Sequence, residues 1–513
     1  MPPGSPRVLV VGAGAGGLAA AIELAVRGCA VTLLERAATP GGKMRELLVD
    51  GRPVAAGPTV LTLRSLLDEL LANAGTRLEA ELATRRAEIL ARHWWPDGSC
   101  LDLFADPKRS EAAIAAFAGP AEARAFRAFR LEAARIWAIL ERPFLRAAAP
   151  SLPGLLGGVG LRGLAGLPRI RPFETLWKVL GEWFRDPRLR QLFARYATYC
   201  GGSPFLAPAT LMLVVHAELD GVWLVEGGLA ALARALAGVA QRLGVVVRLD
   251  CEVREILVES GRASGVRLAS GEQLSADAVI VNADVAALAG GLFGPEVARA
   301  VDAAAPGGRS LSAVVWCALG RATGHPLVHH DVLFSADYRG EFAELLEGRR
   351  LPSDPTVYLC AQDRPAAEAP APAGEERFLL LVNAPATGDR HPFPEAEIAA
   401  CWERVGRRLE RAGLRIEARA TRVTTPSDFA RAFPASGGAL YGPALHGWRA
   451  AFARQGVRTR LPGLYVAGGS VHPGPGVPMA VLSGRLAAQA VLADLASTRR
   501  SRPAAIAGGT STR

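Results

Sequence analysis

Cysteine is sparse in this chain of 513 residues and offers no pairing pattern. The seven cysteines (Cys29, Cys100, Cys200, Cys251, Cys317, Cys360 and Cys401) are scattered, and no CxxC occurs. An odd number without close spacing points to ordinary buried thiols in a reducing compartment and argues against a redox dithiol or a zinc site. No metal is expected. Zinc-finger spacing and an RNA-recognition signature are also missing, and the arginines are dispersed. Nucleic acid is therefore not the expected partner, despite a formal charge of +10 and a pI of about 9.7. The acidic partners left by that charge are an anionic membrane surface and a phosphate-bearing cofactor. No paired carboxylates and no Ser/His/Asp pattern stand out. Charge itself is missing from two stretches. Residues 461–484 carry none but hold four prolines and six glycines, a poor spanning helix. Residues 8–22 follow Arg7 and have the form of a signal-peptide core, although their internal pattern supports another reading.

That pattern is "RVLVVGAGAGGLAAAIELAVRGCAVTLLE", residues 7–35. It reads as strand, glycine turn, helix, strand. Gly12, Gly14 and Gly17 fit GxGxxG, and Glu35 ends the second strand eighteen residues after Gly17. The first glycine makes a tight turn, the second lets backbone approach a pyrophosphate, and the third lets helix pack on strand. The helix N-terminus faces the phosphates, and the carboxylate accepts hydrogen bonds from ribose hydroxyls. A signal peptide would have no use for Glu35. A second glycine turn follows, with Gly41, Gly42 and Lys43, which favours an extended flavin-type site over a nicotinamide one. The run 247–284 reads as short alternating strands ending in Asn282-Ala283-Asp284. Near the C-terminus, "GGSVHPGPGVPMA" (468–480) is too rich in glycine and proline for a helix or central strand, and it separates the strand at 463–467 from the helical run 483–497.

Together, "VVGAGAGGLAAAIELAVRG…VTLLERAATPGGK", "VEGGLAALARALAGVAQRLGVVVRLDCEVREI" and "LYVAGGSVHPGPGVPMAVLSGRLAA" resemble FAD-dependent carotenoid desaturases of the bacterial phytoene desaturase type, over residues 7–495. Within that family, residues 193–223 and 472–480 resemble the 1-hydroxycarotenoid 3,4-desaturases, also called hydroxyneurosporene or methoxyneurosporene desaturases. Pro475 stands where phytoene desaturases tend to have Ala, and Met479 follows Pro478.

The resemblance implies an α/β fold with an α+β substrate domain, whose glutathione-reductase-like FAD-binding Rossmann domain is discontinuous. The expected boundaries are 1–105, 222–300 and 441–497 for the FAD-binding parts, 106–221 for a helical substrate and membrane-docking region, and 301–440 for a substrate-domain sheet. Residues 498–513 are expected to form a disordered basic tail. Gly12, Gly14, Gly17, Glu35, Gly41, Gly42 and Lys43 match the family's ADP-side motif, and Val253 matches a backbone contact to the adenine side. Gly468, Gly469, Gly476, Val477 and Pro478 match the loop beside the flavin. Gly469 occupies a place where many relatives have an Asp that binds the ribityl chain. For His472 two readings stand, a catalytic residue and a structural cap of the loop.

Residues 142–195 hold ten basic and three acidic residues within an apolar, Leu- and Gly-rich run. One reading is a basic helical face beside a core. The other is a docking segment at a membrane interface, favoured because a carotenoid must be collected from the bilayer. Tyr196, Tyr199 and Ser203 either pack the core or line a polyene tunnel and bind a terminal hydroxyl. The implied activity is FAD-dependent desaturation at carbons 3 and 4 of a lipophilic carotenoid, with molecular oxygen or a quinone as electron acceptor. The implied location is cytoplasmic, peripheral to the inner membrane. A phytoene desaturase and a carotenoid isomerase are the neighbouring readings. A flavin amine oxidase is disfavoured because no covalent-flavin cysteine context is visible. A flavin-free isoprenoid-binding chaperone of the same fold is the reading from another class.

Overall fold

The computed structural model describes residues 5–164, 166–302, 308–364 and 372–500. Two sheets organise it. The first has five parallel strands in the order Leu464–Val466, Ala278–Val281, Arg7–Val11, Ala30–Leu34 and Val246–Arg248. Strands buried on both faces read as continuous apolar runs, which is why "RVLVV" and "AVIV" carry no alternation. Helices Ala15–Val26, Gly228–Arg242 and Val477–Arg500 cover this sheet. The first and last of these approach closely because small residues meet where they cross: a Cβ on Gly484 would stand 2.0 Å from the Gly16 carbonyl oxygen. Val477–Ser497 is the one described helix long and apolar enough to cross a membrane, and 61% of that window is buried in the protein. The charge-free stretch 461–484 is thus a strand, a loop and the start of this packed helix.

The second sheet has seven strands in the order Leu414–Thr424, Ser312–Gly324, Glu376–Ala384, Val357–Ala361, His330–Leu333, Ile89–Trp94 and Cys100–Phe104. Helix Glu395–Arg411, with Glu395 and Glu397 in its first turn and Arg408 and Arg411 in its last, covers the outer face; those charges complement the helix dipole. Ile89–Trp94 pairs in parallel with His330–Leu333. Strands 89–104, which the sequence reading placed in the first FAD-binding part (1–105), therefore extend the seven-stranded sheet instead. Local pattern marks a strand but says nothing of its partner. Between Pro107 and Leu219 lies a helical layer that roofs the inner face of this sheet. The C-terminal helix continues to Arg500, so the tail expected from 498 begins helical; residues 501–513 lie outside the described residues.

Candidate functional site

A cavity of about 1350 Å³ runs from the glycine turn of the first sheet to the space between the second sheet and the helical roof. Single small-ligand sites span roughly 300–1,000 Å³, so this one has room for a dinucleotide and a second, apolar ligand. Its nucleotide end is made of backbone. Gly12 has φ +98°, and a Cβ there would meet the Asn282 carbonyl oxygen at 2.7 Å. A Cβ on Gly17 would stand 2.0 Å from the Gly12 carbonyl oxygen. Glu35 accepts from Ala13 N at 2.7 Å and Ala37 N at 2.9 Å, so its carboxylate ties the glycine turn to the end of the second strand. Gly41 (φ +129°) donates to the Ala13 carbonyl at 2.9 Å and brings the second turn under the first. Gly14, Glu35 and Gly42 line the cavity, as do Val253 and its neighbours Cys251, Glu252 and Arg254.

One residue that sequence reasoning missed joins the parts. Asn282 accepts from Gly17 N at 2.7 Å through Oδ1 and donates to the Ala467 carbonyl at 3.1 Å through Nδ2. Its position at the end of an apolar strand was visible, but not that two distant segments would converge on its amide.

The 468–480 loop borders the same cavity. Gly468 (φ +116°), Gly469, Gly476 (φ +104°), Val477 and Pro478 line it, and the helix beginning at Val477 presents its N-terminus there, as does the helix beginning at Ala15. The Arg454 side chain, 3% exposed by residue, donates to the Gly469 carbonyl at 2.9 Å and the Pro443 carbonyl at 2.8 Å. Burial pushes its pKa down to about 10. Lys43 Nζ donates to the Leu440 carbonyl at 2.6 Å; burial lowers its pKa, and Asp284 opposes that shift. Lys43 thus ties the second glycine turn to the segment before the terminal strand. His472 is fully buried and absent from the cavity wall. Its Nε2 lies 2.8 Å from the Phe144 carbonyl oxygen and burial pushes its pKa down to about 4, a geometry that fits the cap reading rather than the catalytic one.

The other end of the cavity is built from side chains. Leu211, Val214 and Ala217 come from the roof, and Val315, Leu379 and Leu381 from the sheet. Of the three polar candidates in the roof, Tyr199 lines the cavity and Tyr196 and Ser203 do not. The turn Arg195–Cys200 directs Tyr196 into the core, where its hydroxyl donates to Glu218 Oε1 at 2.6 Å. Ser203 is spent locally: its N–H donates to His446 Nε2 at 3.0 Å, and its Oγ accepts from Phe205 N at 3.2 Å. Arg195 and Glu218, which the sequence reading did not single out, line the cavity as a buried ion pair at 3.3 Å.

No metal was expected, yet His329, His330 and Cys360 bring ligand-type atoms within 4.8 Å of one another. His329 Nδ1 is engaged by the Arg364 carbonyl at 3.0 Å and His330 Nδ1 by the Tyr358 hydroxyl at 2.7 Å. Burial pushes the Cys360 thiol up to about 12, which disfavours the thiolate a soft metal takes.

Residues 15–492 match the family described as flavin containing amine oxidoreductase. The chain belongs to that family. It is 53% identical to a hydroxyneurosporene desaturase of Rubrivivax gelatinosus, over 99% of this chain and 97% of the relative. It is 48% identical to a hydroxyneurosporene desaturase of Cereibacter sphaeroides, over 96% and 99%. Among solved structures, an oxidoreductase from Methanosarcina mazei matches with a TM-score of 0.57 and 18% identity, over 95% of this chain and 100% of that one, a likeness of fold. The cofactor of this flavoprotein is FAD. The site fits it: the cradle at Gly12, Gly17 and Gly41 is filled by backbone that a Cβ would strike, and two helix N-termini face the cavity.

Proposed function

We propose that the chain is an FAD-dependent desaturase that introduces the 3,4 double bond of an acyclic 1-hydroxycarotenoid. The observation that carries this reading is the continuity of one cavity from the dinucleotide cradle into an apolar chamber, in a chain 53% identical to a hydroxyneurosporene desaturase. Gly12, Gly14, Gly17, Glu35, Gly41, Gly42, Lys43 and Val253 would hold the adenosine and diphosphate side of FAD. Gly468, Gly469, Gly476, Val477 and Pro478 would flank its flavin. When bound, FAD supplies a two-electron acceptor for the hydride taken from one of two adjacent sp³ carbons. The second hydrogen leaves as a proton, and the positive charge between the two events is spread over the conjugated chain. The protein's work is then to align the polyene and to exclude water, which the Leu, Val and Ala wall performs.

The same reading has the enzyme collect its substrate at an anionic membrane surface and pass electrons to a quinone or molecular oxygen. Support for docking comes from the rim. Phe173 is 77% exposed and packs edge-on against Trp448, which lines the cavity; helix Leu152–Leu164 exposes Leu152 and Leu156 while its Leu155 lines the same cavity. Apolar contact acts together with charge here, because Arg169 pairs with Glu132 at 3.2 Å and Arg171 with Glu182 at 2.6 Å, which neutralises part of the basic run.

The test is turnover by FAD-loaded protein on anionic vesicles carrying hydroxyneurosporene and a quinone. The expected result is a carotenoid band moved to longer wavelength, with protein floating with the vesicles. Conversion of phytoene with the hydroxylated carotenoid untouched would overturn the substrate assignment, and protein left behind in solution would overturn the docking surface.

A further inference from the structure

Desaturation of a hydrocarbon needs no polar group in the chamber wall, yet the wall has a polar corner. Arg195 and Glu218 pair at 3.3 Å with side chains 5% and 3% exposed, Tyr196 donates to Glu218, and Arg195 reaches the Tyr199 hydroxyl. Two donors in this corner have no partner among the described residues: Arg195 Nε and the Tyr338 hydroxyl. Both residues line the cavity and both are buried. The segments that carry them are tied together, since the Gln191 amide, four residues before Arg195, donates to the Ser335 carbonyl, three residues before Tyr338, at 3.0 Å. The Tyr338 ring is held by Phe205, Phe334 and Phe342, so its hydroxyl cannot swing away in search of water. An unmet buried donor costs about 1–3 kcal/mol, which a bound acceptor oxygen would relieve.

The corner also stands beside the redox end of the cavity. Gly201, directly after the Arg195–Cys200 turn, packs on Tyr441, where a Cβ on the glycine would stand 2.4 Å from the ring carbon Cδ2. Arg454 donates to the Tyr441 carbonyl at 3.4 Å and to the Gly469 carbonyl at 2.9 Å, which joins this side of the chamber to the loop proposed to flank the flavin. In a carotenoid hydroxylated at carbon 1, only carbons 1 and 2 separate the oxygen from carbon 3. A receptor for that oxygen must therefore sit beside the site of desaturation and not at the far end of a tunnel, which is where Arg195 and Tyr338 are.

We propose that Arg195 Nε and the Tyr338 hydroxyl donate hydrogen bonds to the oxygen of the hydroxylated substrate end while Glu218 accepts a hydrogen bond from its O–H, and that this corner selects hydroxylated over hydrocarbon carotenoids. The inference rests on the desaturase reading above. A site built to bond a hydroxyl rejects an analogue lacking it far more strongly than an apolar pocket rejects a change of shape.

The experiment compares hydroxyneurosporene with the same hydrocarbon lacking the hydroxyl, using FAD-loaded wild type, Tyr338→Phe and Arg195→Lys. Phe keeps the ring packing and Lys keeps a charge opposite Glu218. The expected result is a wild-type kcat/KM ratio favouring the hydroxylated carotenoid by at least about tenfold. In each variant that ratio should fall about tenfold, with flavin content and melting temperature of Tyr338→Phe near wild type. A ratio near one in the wild type, an unchanged ratio in both variants, or equal losses for the two carotenoids would overturn the inference. A wild type that turned over neither carotenoid would overturn the proposed function instead. The same ratio would then be read from equilibrium binding of the two carotenoids to the FAD-loaded protein, with the same outcomes deciding.

Discussion

The two ends of the cavity are built by opposite means. At the nucleotide end the wall is mostly backbone: glycines whose missing Cβ atoms leave room, carbonyls and amides aimed by tight turns, and helix N-termini. Polar side chains there mostly brace the loops, as Asn282 and Glu35 do. At the chamber end the wall is aliphatic and aromatic, and a few buried polar side chains gather around Arg195 and Glu218. Backbone sites tolerate no added atoms where the turns pack tightly, as at Gly12 and Gly17. Side-chain sites accept shape changes but depend on every charge keeping its partner. The junction is held by side chains from both, with Lys43 reaching the Leu440 carbonyl and Arg485 and Arg146 sharing Glu69.

This contrast breaks most sharply at Gly17. In Gly17→Ala the new Cβ would strike the Gly12 carbonyl oxygen from 2.0 Å, with only backbone to give way. Loss of FAD from the purified protein is expected, at a cost of about 3 kcal/mol or more. Gly469→Ala, where the nearest atom is Pro475 Cα at 3.8 Å, should keep its FAD. Flavin absorbance of the two purified variants is the check, and equal retention would mean that the cradle is not the binding site.

A smaller effect is expected where a side chain does serve the nucleotide end. Glu35→Ala should weaken FAD binding by about 1–3 kcal/mol through lost hydrogen bonds to a charged group. Calorimetric titration of apoprotein with FAD reads it. Unchanged affinity would remove Glu35 from the ribose and leave it only its bonds to Ala13 and Ala37.

The smallest effect lies at the junction. Hydrogen bonds from Arg146, and after them from Arg485, hold the Glu69 pKa down to about 2 against the opposing pull of desolvation. A depressed folded pKa contributes stability above the unfolded value near 4.5, and that contribution is lost as pH falls towards 2. The Glu69 side chain is 39% exposed, so solvent screening reduces the gain to about 1 kcal/mol. Denaturant unfolding should find Glu69→Gln less stable than wild type by that amount at pH 7, with the gap closing between pH 4.5 and 2. A gap independent of pH would mean that the carboxylate acts by packing alone.

Legibility followed the same division. The strand, turn and helix of residues 7–35 were readable because the groups that shape a dinucleotide cradle are neighbours in the chain, and GxGxxG spacing is itself the geometry. The 468–480 loop was readable as a bare, rigid loop for the same reason. Tyr196 and Ser203 misled because a polar residue in an apolar stretch does not declare which way its turn will point it. The placement of strands 89–104 was hidden because a strand's partner, His330–Leu333, lies more than two hundred residues away.

By itself, then, the sequence determined the nucleotide-binding half, its cofactor class and the presence of an apolar partner region, since these rest on local spacing and on apolar runs that must be buried. Only the tertiary structure decided which polar residues face the chamber. Arg195, Glu218 and Tyr338 come from separate segments. Each reads alone as an ordinary surface or core residue, and a buried charge acquires meaning only from the partner that folding places opposite it.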